Sequence, residues 1–219
     1  MLTEFFNSPL AFLIWIIALL VAITIHEFSH AWMADRLGDP TAKLSGRLTL
    51  NPFAHLDPLG TLALLLFRFG WGKPVPFDPF NLRNPRRDAA LISLSGPVSN
   101  LILATILAIF LRLITTLSPL NLNLIPALSL VILEPIIALN VILGVFNLLP
   151  VHPLDGGKIL VGFLPADLAD EWDQTLSQYS FIIIILLIFP IFGASLASLI
   201  ISPIINFILS LLLPGTPLI

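Results

Sequence analysis

Long apolar runs, separated by polar segments, dominate the pattern of the chain. The first run covers residues 10–25 behind the helix-starting triplet Asn7-Ser8-Pro9, and a helix continuing to about Ala34 reaches the roughly 20 residues that a bilayer requires. Two further runs cover residues 89–117 and 124–149, and no charged residue follows Gln174. The pattern predicts at least three transmembrane helices and a hydrophobic C-terminal region.

Two apolar stretches are each compatible with two alternative structures. Residues 59–69 are too few for a span and are flanked by segments rich in Pro, Gly and Asn, which favours a re-entrant loop or a short β-hairpin. Pro190 and Gly193 divide the last run, which indicates either a hairpin of two helices or one kinked helix. We therefore expect an all-α polytopic membrane protein of about five to six transmembrane helices. It would form a single domain over 1–219, with a core at 10–165 and a hydrophobic hairpin at 174–213.

Composition agrees with a membrane protein. Apolar residues make up 57% of the chain and charged residues 11%, against about 45–50% and about 25% in soluble domains. The mean hydropathy is +1.01. Ten basic residues and a net charge of -3 offer no face for nucleic acid, and the absence of cysteine excludes disulfides and thiolate sites. Any chemistry must use His, Asp, Glu, Ser or Asn.

Basic residues predict the orientation, because cytoplasmic loops are enriched in Lys and Arg. Most of them lie between the first and second long spans: Arg36, Lys43, Arg47, Arg68, Lys73, Arg83, Arg86 and Arg87. The first helix then runs from outside to inside, and the third brings Asp155 to the cytoplasmic side of a multi-pass cell-membrane protein. This assignment of helix ends to the two sides of the membrane requires residues 59–69 to return to the cytoplasmic side without crossing the bilayer.

A metal-binding motif lies at the cytoplasmic end of the first helix. Residues 26–30 read HEFSH. His26 and His30 are one helical turn apart on one face, while Glu27 is offset around the helix. This is the H-E-x-x-H pattern of zinc hydrolases. Ionisable residues inside a membrane helix are costly and usually functional.

Two histidines leave a catalytic zinc site one protein ligand short. The candidates for the third are His55, Glu134, His152 and Asp155. Asp155 is favoured because it follows a helix that runs in the same direction as the first. It also opens an Asp-Gly-Gly segment whose small residues let the backbone approach. For His152 the favoured interpretation is a turn residue, and the alternatives are a supporting partner of the site or a pH-sensitive gate.

Two separated signatures resemble the site-2 protease family of intramembrane zinc metalloproteases. They are HEFSH at 26–30 and NLLPVHPLDGG at 147–157, which is similar to the family's N-x-x-P-x-x-x-L-D-G element. GPVSN at 96–100 is similar to its G-P-x-x-N element. GRLTLNP at 46–52 and NPRR at 84–87 resemble the compact bacterial and archaeal branch that lacks PDZ and CBS domains. The resemblance covers about residues 10–165.

The resemblance implies roles for particular residues. His26, His30 and Asp155 would be ligands of one Zn²⁺, and Glu27 the general base and acid. Asn147 and Asn100 would bind the substrate, a transmembrane helix of another protein. The implied reaction is hydrolysis of peptide bonds within that helix, as in regulated intramembrane proteolysis.

Two other functions fit parts of the pattern. A catalytically inactive scaffold could hold a partner transmembrane helix in the same cavity, although an inactive relative is free to lose the ligands that this chain keeps. A metal transporter would need polar residues across the whole bilayer, and the His and Asp residues cluster at one depth only. Neither the substrate nor the oligomeric state follows from the sequence.

Overall fold

Helices account for nearly all the regular structure in the computed structural model, which describes residues 8–67, 70–117, 124–188 and 195–213. A one-turn helix at Thr41–Leu44 and 3₁₀ turns at Pro52–Ala54 and Pro79–Asn81 lie between the first long helices. The predicted division at Pro190 and Gly193 lies outside the described residues. The main helices are α1 (Pro9–Leu37), α2 (Pro58–Phe67), α3 (Pro85–Leu117), α4 (Leu124–Asn147), α5 (Asp155–Phe163), α6 (Ala166–Ile188) and α7 (Leu196–Leu212).

Three of the described helices are long and apolar enough to cross a membrane. They are α1, α3 and the part of α4 at Leu128–Asn147, with hydropathies of 2.4, 2.1 and 2.3. The helical membrane fold and the first three long spans are therefore confirmed. The predicted total of five to six spans is not.

The buried stripe of α1 explains how the motif comes to face the protein interior. Ala18, Ala22, His26, His30 and Ala34 recur every four residues and are all buried. α3 and α4 both pack against α1, and the small alanines let their backbones approach closely. The two histidines therefore extend an alanine seam into the helix interface instead of facing lipid.

A second apolar cluster joins α3, α4 and α7. At the far end of this cluster, the Arg112 guanidinium on α3 donates hydrogen bonds to the carbonyls of Leu211 and Leu212 at the end of α7. These are carbonyls that a helix C-terminus leaves without intrahelical partners. α7 therefore ends near the C-terminal end of α3. The buried members of the cluster are Ala104, Ala108, Leu111, Ile137, Val141, Val145, Ile201 and Leu213.

Asp39 ties the loop after α1 to the segment that precedes α3. Gly38 ends α1 in the left-handed region, at φ 105°. The Asp39 carboxylate then accepts hydrogen bonds from Thr41, the Asp78 amide and the Asn81 side chain. Burial disfavours its charge, but these donors outweigh burial and lower the pKa of Asp39. The bonds hold the extended stretch before Asp78 against the end of α1.

The short apolar segment forms α2, a helix of ten residues that is about 15 Å long and too short to cross a bilayer. Its flanks meet again in one antiparallel bridge between Leu56 and Gly72, supported by a 2.9 Å hydrogen bond from the Lys73 amide to the His55 carbonyl. The chain thus leaves and returns at nearly the same place. A β-hairpin is not confirmed, because the described residues here form only this single bridge.

Candidate metal centre

His26, His30 and Asp155 converge on one point, although the carboxylate is 129 residues from the first imidazole. Asp155 Oδ2 lies 3.0 Å from His26 Nε2 and 3.2 Å from His30 Nε2. The two rings meet edge to face with centroids 4.6 Å apart. Asp155 is the first residue of α5, and α5 packs against α3, which also packs against α1 and so brings the carboxylate close to the two imidazoles of α1.

Hydrogen bonds on the far side of each ring determine the histidine tautomers. His30 Nδ1 lies 2.7 Å from the Ile92 carbonyl, which only accepts, so this nitrogen carries the proton. His26 Nδ1 lies 2.7 Å from Asn100 Oδ1 and donates in the same way. Both Nε2 atoms therefore present lone pairs toward Asp155.

A second amide fixes the orientation of Asn100. Asn100 Nδ2 donates to the Ala22 carbonyl at 2.9 Å and to Asn140 Oδ1 at 2.7 Å. Asn140 is held in turn by a 2.8 Å bond from its own Nδ2 to the Ile136 carbonyl. Both asparagines are fully buried. The chain of bonds from α4 through α3 to α1 leaves Asn100 Oδ1 as the acceptor for His26.

The three converging atoms fit a zinc ion. Two lone pairs and a carboxylate oxygen that face one another repel unless a cation lies between them. The separations of 3.0 and 3.2 Å are close to the edge of about 3.3 Å that ligands 2.0–2.1 Å from a tetrahedral zinc define.

Glu27 lies beside the ligands with one oxygen unused. Its side chain is 13% exposed, and Oε2 is buried with no hydrogen-bond partner in the described parts of the chain. The nearest opposite charge is Arg47, whose Nη2 is 3.9 Å away. Burial lowers the pKa of Arg47, and the Glu27 charge opposes that shift. A carboxylate oxygen without a partner is free to accept a proton from water.

Gly96 on α3 leaves the space that the imidazoles occupy. A Cβ atom at this position would lie 2.5 Å from His30 Nε2 and 2.8 Å from His26 Cε1. Both distances are below those that real Cβ atoms show, so any side chain here would displace the rings. The glycine of the GPVSN element is thus a steric requirement of the site.

The two predicted substrate-binding asparagines occupy different surroundings. Asn147 is half-buried at the last position of α4, and its Nδ2 donates to the Leu143 carbonyl at 3.0 Å. Asn100 lies behind His26, on the ring edge opposite Asp155. Its amide groups are already engaged, so this geometry does not support a direct contact between Asn100 and substrate.

The other candidate ligands lie outside the cluster. His55 is fully buried and bonds the Thr49 carbonyl at 2.8 Å. His152 bonds Asp173 on α6 at 3.0 Å, and Glu134 is exposed on α4. Within the described ranges, His26, His30 and Asp155 form the one group of three His, Asp or Glu side chains close enough to share a metal.

Sequence reasoning missed three features of the site: the Asn140 amide, the Ile92 carbonyl and Arg47. Asn140 had a usable signal, because it is a polar residue in an otherwise apolar run, and such residues in membrane helices are usually functional. The Ile92 carbonyl gave no signal, since every residue has a backbone carbonyl. Arg47 was counted only as a charge that determines orientation.

Several known proteins are similar in sequence to this chain over most of its length. A family profile described as peptidase family M50 matches residues 123–189. YwhC of Bacillus subtilis, named as a candidate zinc metalloprotease, is 38% identical over 93% of this chain and 91% of its own length. Rip2 of Mycolicibacterium smegmatis, named in the same way, is 31% identical over 81% of this chain and 67% of its own. The zinc metalloprotease MJ0392 of Methanocaldococcus jannaschii is 26% identical over 72% and 36%. No solved structure matches the chain.

Proposed function

The chain belongs to peptidase family M50, the site-2 protease family of zinc metalloproteases, and from this premise we propose that it cleaves transmembrane helices of other proteins within the bilayer. The position of the metal centre supports the proposal. His26 and His30 lie inside α1, one of the three candidate spans, and not in a soluble domain. A substrate that reaches them must itself be in or at the membrane.

The convergence of His26 Nε2, His30 Nε2 and Asp155 Oδ2 is the observation that carries the proposal. We assign these three atoms as the zinc ligands. Glu27, adjacent to His26, is the general base and acid. Asn100 is assigned to orient His26 through Nδ1, a role that supporting partners of metal-bound histidines commonly have. This replaces the substrate contact expected from the sequence.

Glu27 moves the proton in the proposed reaction. Zinc supplies Lewis acidity, which lowers the pKa of water and polarises a carbonyl. Glu27 Oε2 accepts a proton from the attacking water as the new C–O bond forms, and delivers it to the amide nitrogen as the C–N bond breaks. The unpartnered state of Oε2 leaves that oxygen available for the proton.

The substrate must reach this site in an extended form. The carbonyls of a helix are engaged in its own hydrogen bonds, so the cleaved segment has to unwind locally. The stretch at 73–78 has no helical structure, and it follows Gly72, which lies beside Glu27. We propose that this stretch pairs with the unwound segment by its edge. Asn147, at the end of α4, remains our candidate for a side-chain contact with substrate.

The proposed topology places the active site toward the cytoplasm. The bridge between Leu56 and Gly72 supports a re-entrant α2. The predicted orientation of the long helices requires such an element, because α2 must return to the cytoplasmic side. α7 is apolar but shorter than the three candidate spans, and its contact with Arg112 brings its C-terminal end close to the C-terminal end of α3. The hairpin at 174–213, the count of five to six spans and the single-domain organisation stay predictions.

Reconstituted proteolysis tests the proposed function. The purified protein, in proteoliposomes with a transmembrane segment labelled at both ends, should cut the segment within its hydrophobic part, and mass spectrometry locates the cut. Zinc removal with a chelator should abolish cleavage, and added zinc should restore it. One zinc per chain with no cleavage of any helical segment would instead favour the inactive scaffold.

The role assigned to Asn100 gives a separate prediction. Asn100→Leu removes the acceptor for His26 Nδ1 while keeping a similar volume. Zinc affinity should fall about 10–100-fold, because loss of such a partner lets the ring rotate or change tautomer. Competition with a fluorescent chelator measures it. Thr105→Val, on the exposed side of α3, is the control. Equal affinity of Asn100→Leu and wild type would contradict the assignment.

A further inference from the structure

Two buried side-chain polar atoms lack a hydrogen bond among the described residues: Glu27 Oε2 and Arg47 Nε. They belong to neighbouring side chains of opposite charge, with Arg47 Nη2 3.9 Å from Glu27 Oε2. Arg47 is 4% exposed, although arginine is almost never fully buried without a partner. The burial of this guanidinium beside the proposed base requires an explanation other than membrane orientation.

Two backbone carbonyls of the extended stretch hold the Arg47 guanidinium. Its Nη1 donates to the Pro74 carbonyl at 3.0 Å and its Nη2 donates to the Lys73 carbonyl. His55 Nε2 donates to the Thr49 carbonyl, so His55 Nδ1 is an acceptor facing Arg47 Nη2 at 3.5 Å. The planar guanidinium has little freedom between these groups.

The same guanidinium therefore connects the proposed substrate-pairing stretch with the proposed base. Gly72 precedes the two carbonyls, and a Cβ atom there would lie 3.7 Å from Glu27 Oε1. A shift of the Lys73 and Pro74 backbone would move the Arg47 guanidinium, because both carbonyls are bonded to it. The Glu27 carboxylate would then move with the positive charge of Arg47, to which it is attracted. Lysine could not replace it fully, because a point charge lacks the rigid fork that bonds two carbonyls at once.

We propose that Arg47 is a positioning residue that orients the Glu27 carboxylate toward the metal centre and couples it to the stretch at 72–74. The inference rests on the proposed function, because Arg47 affects the reaction only by positioning Glu27, the proposed general base. A residue that acts in this way alters the chemical step. It does not bind zinc, and it does not contact the substrate.

Steady-state kinetics with the reconstituted full chain test the proposal. Arg47→Ala should lower kcat about 100-fold, the order expected when a catalytic group is misplaced by about 1 Å. KM and zinc content should stay at wild-type values. Guanidinium ion, added below denaturing concentrations, should raise kcat of Arg47→Ala several-fold by filling the vacated space. It should leave Glu27→Gln unchanged.

Arg83→Ala is the matched control, because it removes an exposed arginine that lies outside the stretch at 72–78, and it should leave kcat unchanged. Wild-type kcat in Arg47→Ala, or a raised KM with unchanged kcat, would overturn the role of Arg47 alone. Cleavage by Glu27→Gln at the wild-type rate would overturn the proposed function as well. If Arg47→Ala does not fold, Arg47→Lys replaces it, and wild-type kcat there overturns the proposal.

Discussion

Glu27→Gln should abolish cleavage of a transmembrane substrate while the protein keeps its zinc. The glutamine amide has nearly the same shape as the carboxylate but cannot accept the proton of water at neutral pH. General acid–base groups contribute on the order of 10²–10⁴-fold to rate, and Glu27 is assigned to both proton transfers, so the upper end of that range is expected. Single-turnover cleavage of a labelled segment, with zinc measured by atomic absorption, gives both quantities.

Measuring the zinc content distinguishes a variant that has lost only the general base from one that has lost the metal-binding site. Glu27 is not among the three atoms that converge on the metal position, so Glu27→Gln should bind as much zinc as wild type. The contrasting variant is Asp155→Asn, which weakens a ligand and should lower both zinc content and cleavage. A Glu27→Gln protein that cleaves at more than a tenth of the wild-type rate would contradict the role of general base.

The sequence was sufficient to predict those features whose geometry is determined by local residue spacing. Four residues on a helix place His26 and His30 on one face whatever the rest of the chain does. The apolar runs predicted α1, α3 and α4 because membrane helices must be long and apolar. Asp155 was favoured from helix direction, and the structure brings its carboxylate within 3.0 Å of His26 Nε2.

The supporting parts of the site depend on contacts between distant segments, and spacing does not encode these. His26 reaches Asn100 across 74 residues, and Asn100 reaches Asn140 across 40. Sequence likeness gave Asn100 a place in the site but not the edge of the ring that it occupies. Arg47 illustrates the same limit, because its charge suggested a cytoplasmic loop, and only its 4% exposure reveals a buried partner of Glu27.

Gly96 is partly predictable from the sequence, because its GPVSN motif can be recognised there. The steric need for glycine at this position is visible only in the fold. Each imidazole is fixed through Nδ1 by a bond of 2.7 Å, His26 to Asn100 and His30 to the Ile92 carbonyl. Neither ring can therefore turn away from α3 without breaking a buried hydrogen bond. An unpaired buried polar group costs about 1–3 kcal/mol.

Gly96→Ala should consequently destroy the metal centre without destroying the protein. The added Cβ would stand 2.5 Å from His30 Nε2 and 2.8 Å from His26 Cε1, so both rings must move and at least one hydrogen bond must break. If both rings lose their Nδ1 bonds, the cost of about 2–6 kcal/mol corresponds to zinc affinity lower by a factor between about 30 and about 10⁴. Cleavage should fall with it.

Helix stability provides the internal control for Gly96→Ala. Alanine is the better helix former by about 1 kcal/mol, so α3 itself should not unfold, and circular dichroism should match that of wild type. Val98→Ala changes an exposed side chain of the same helix and should bind zinc normally. Wild-type zinc affinity in Gly96→Ala would mean that the rings can yield, and that their Nδ1 bonds do not hold the metal ligands in place.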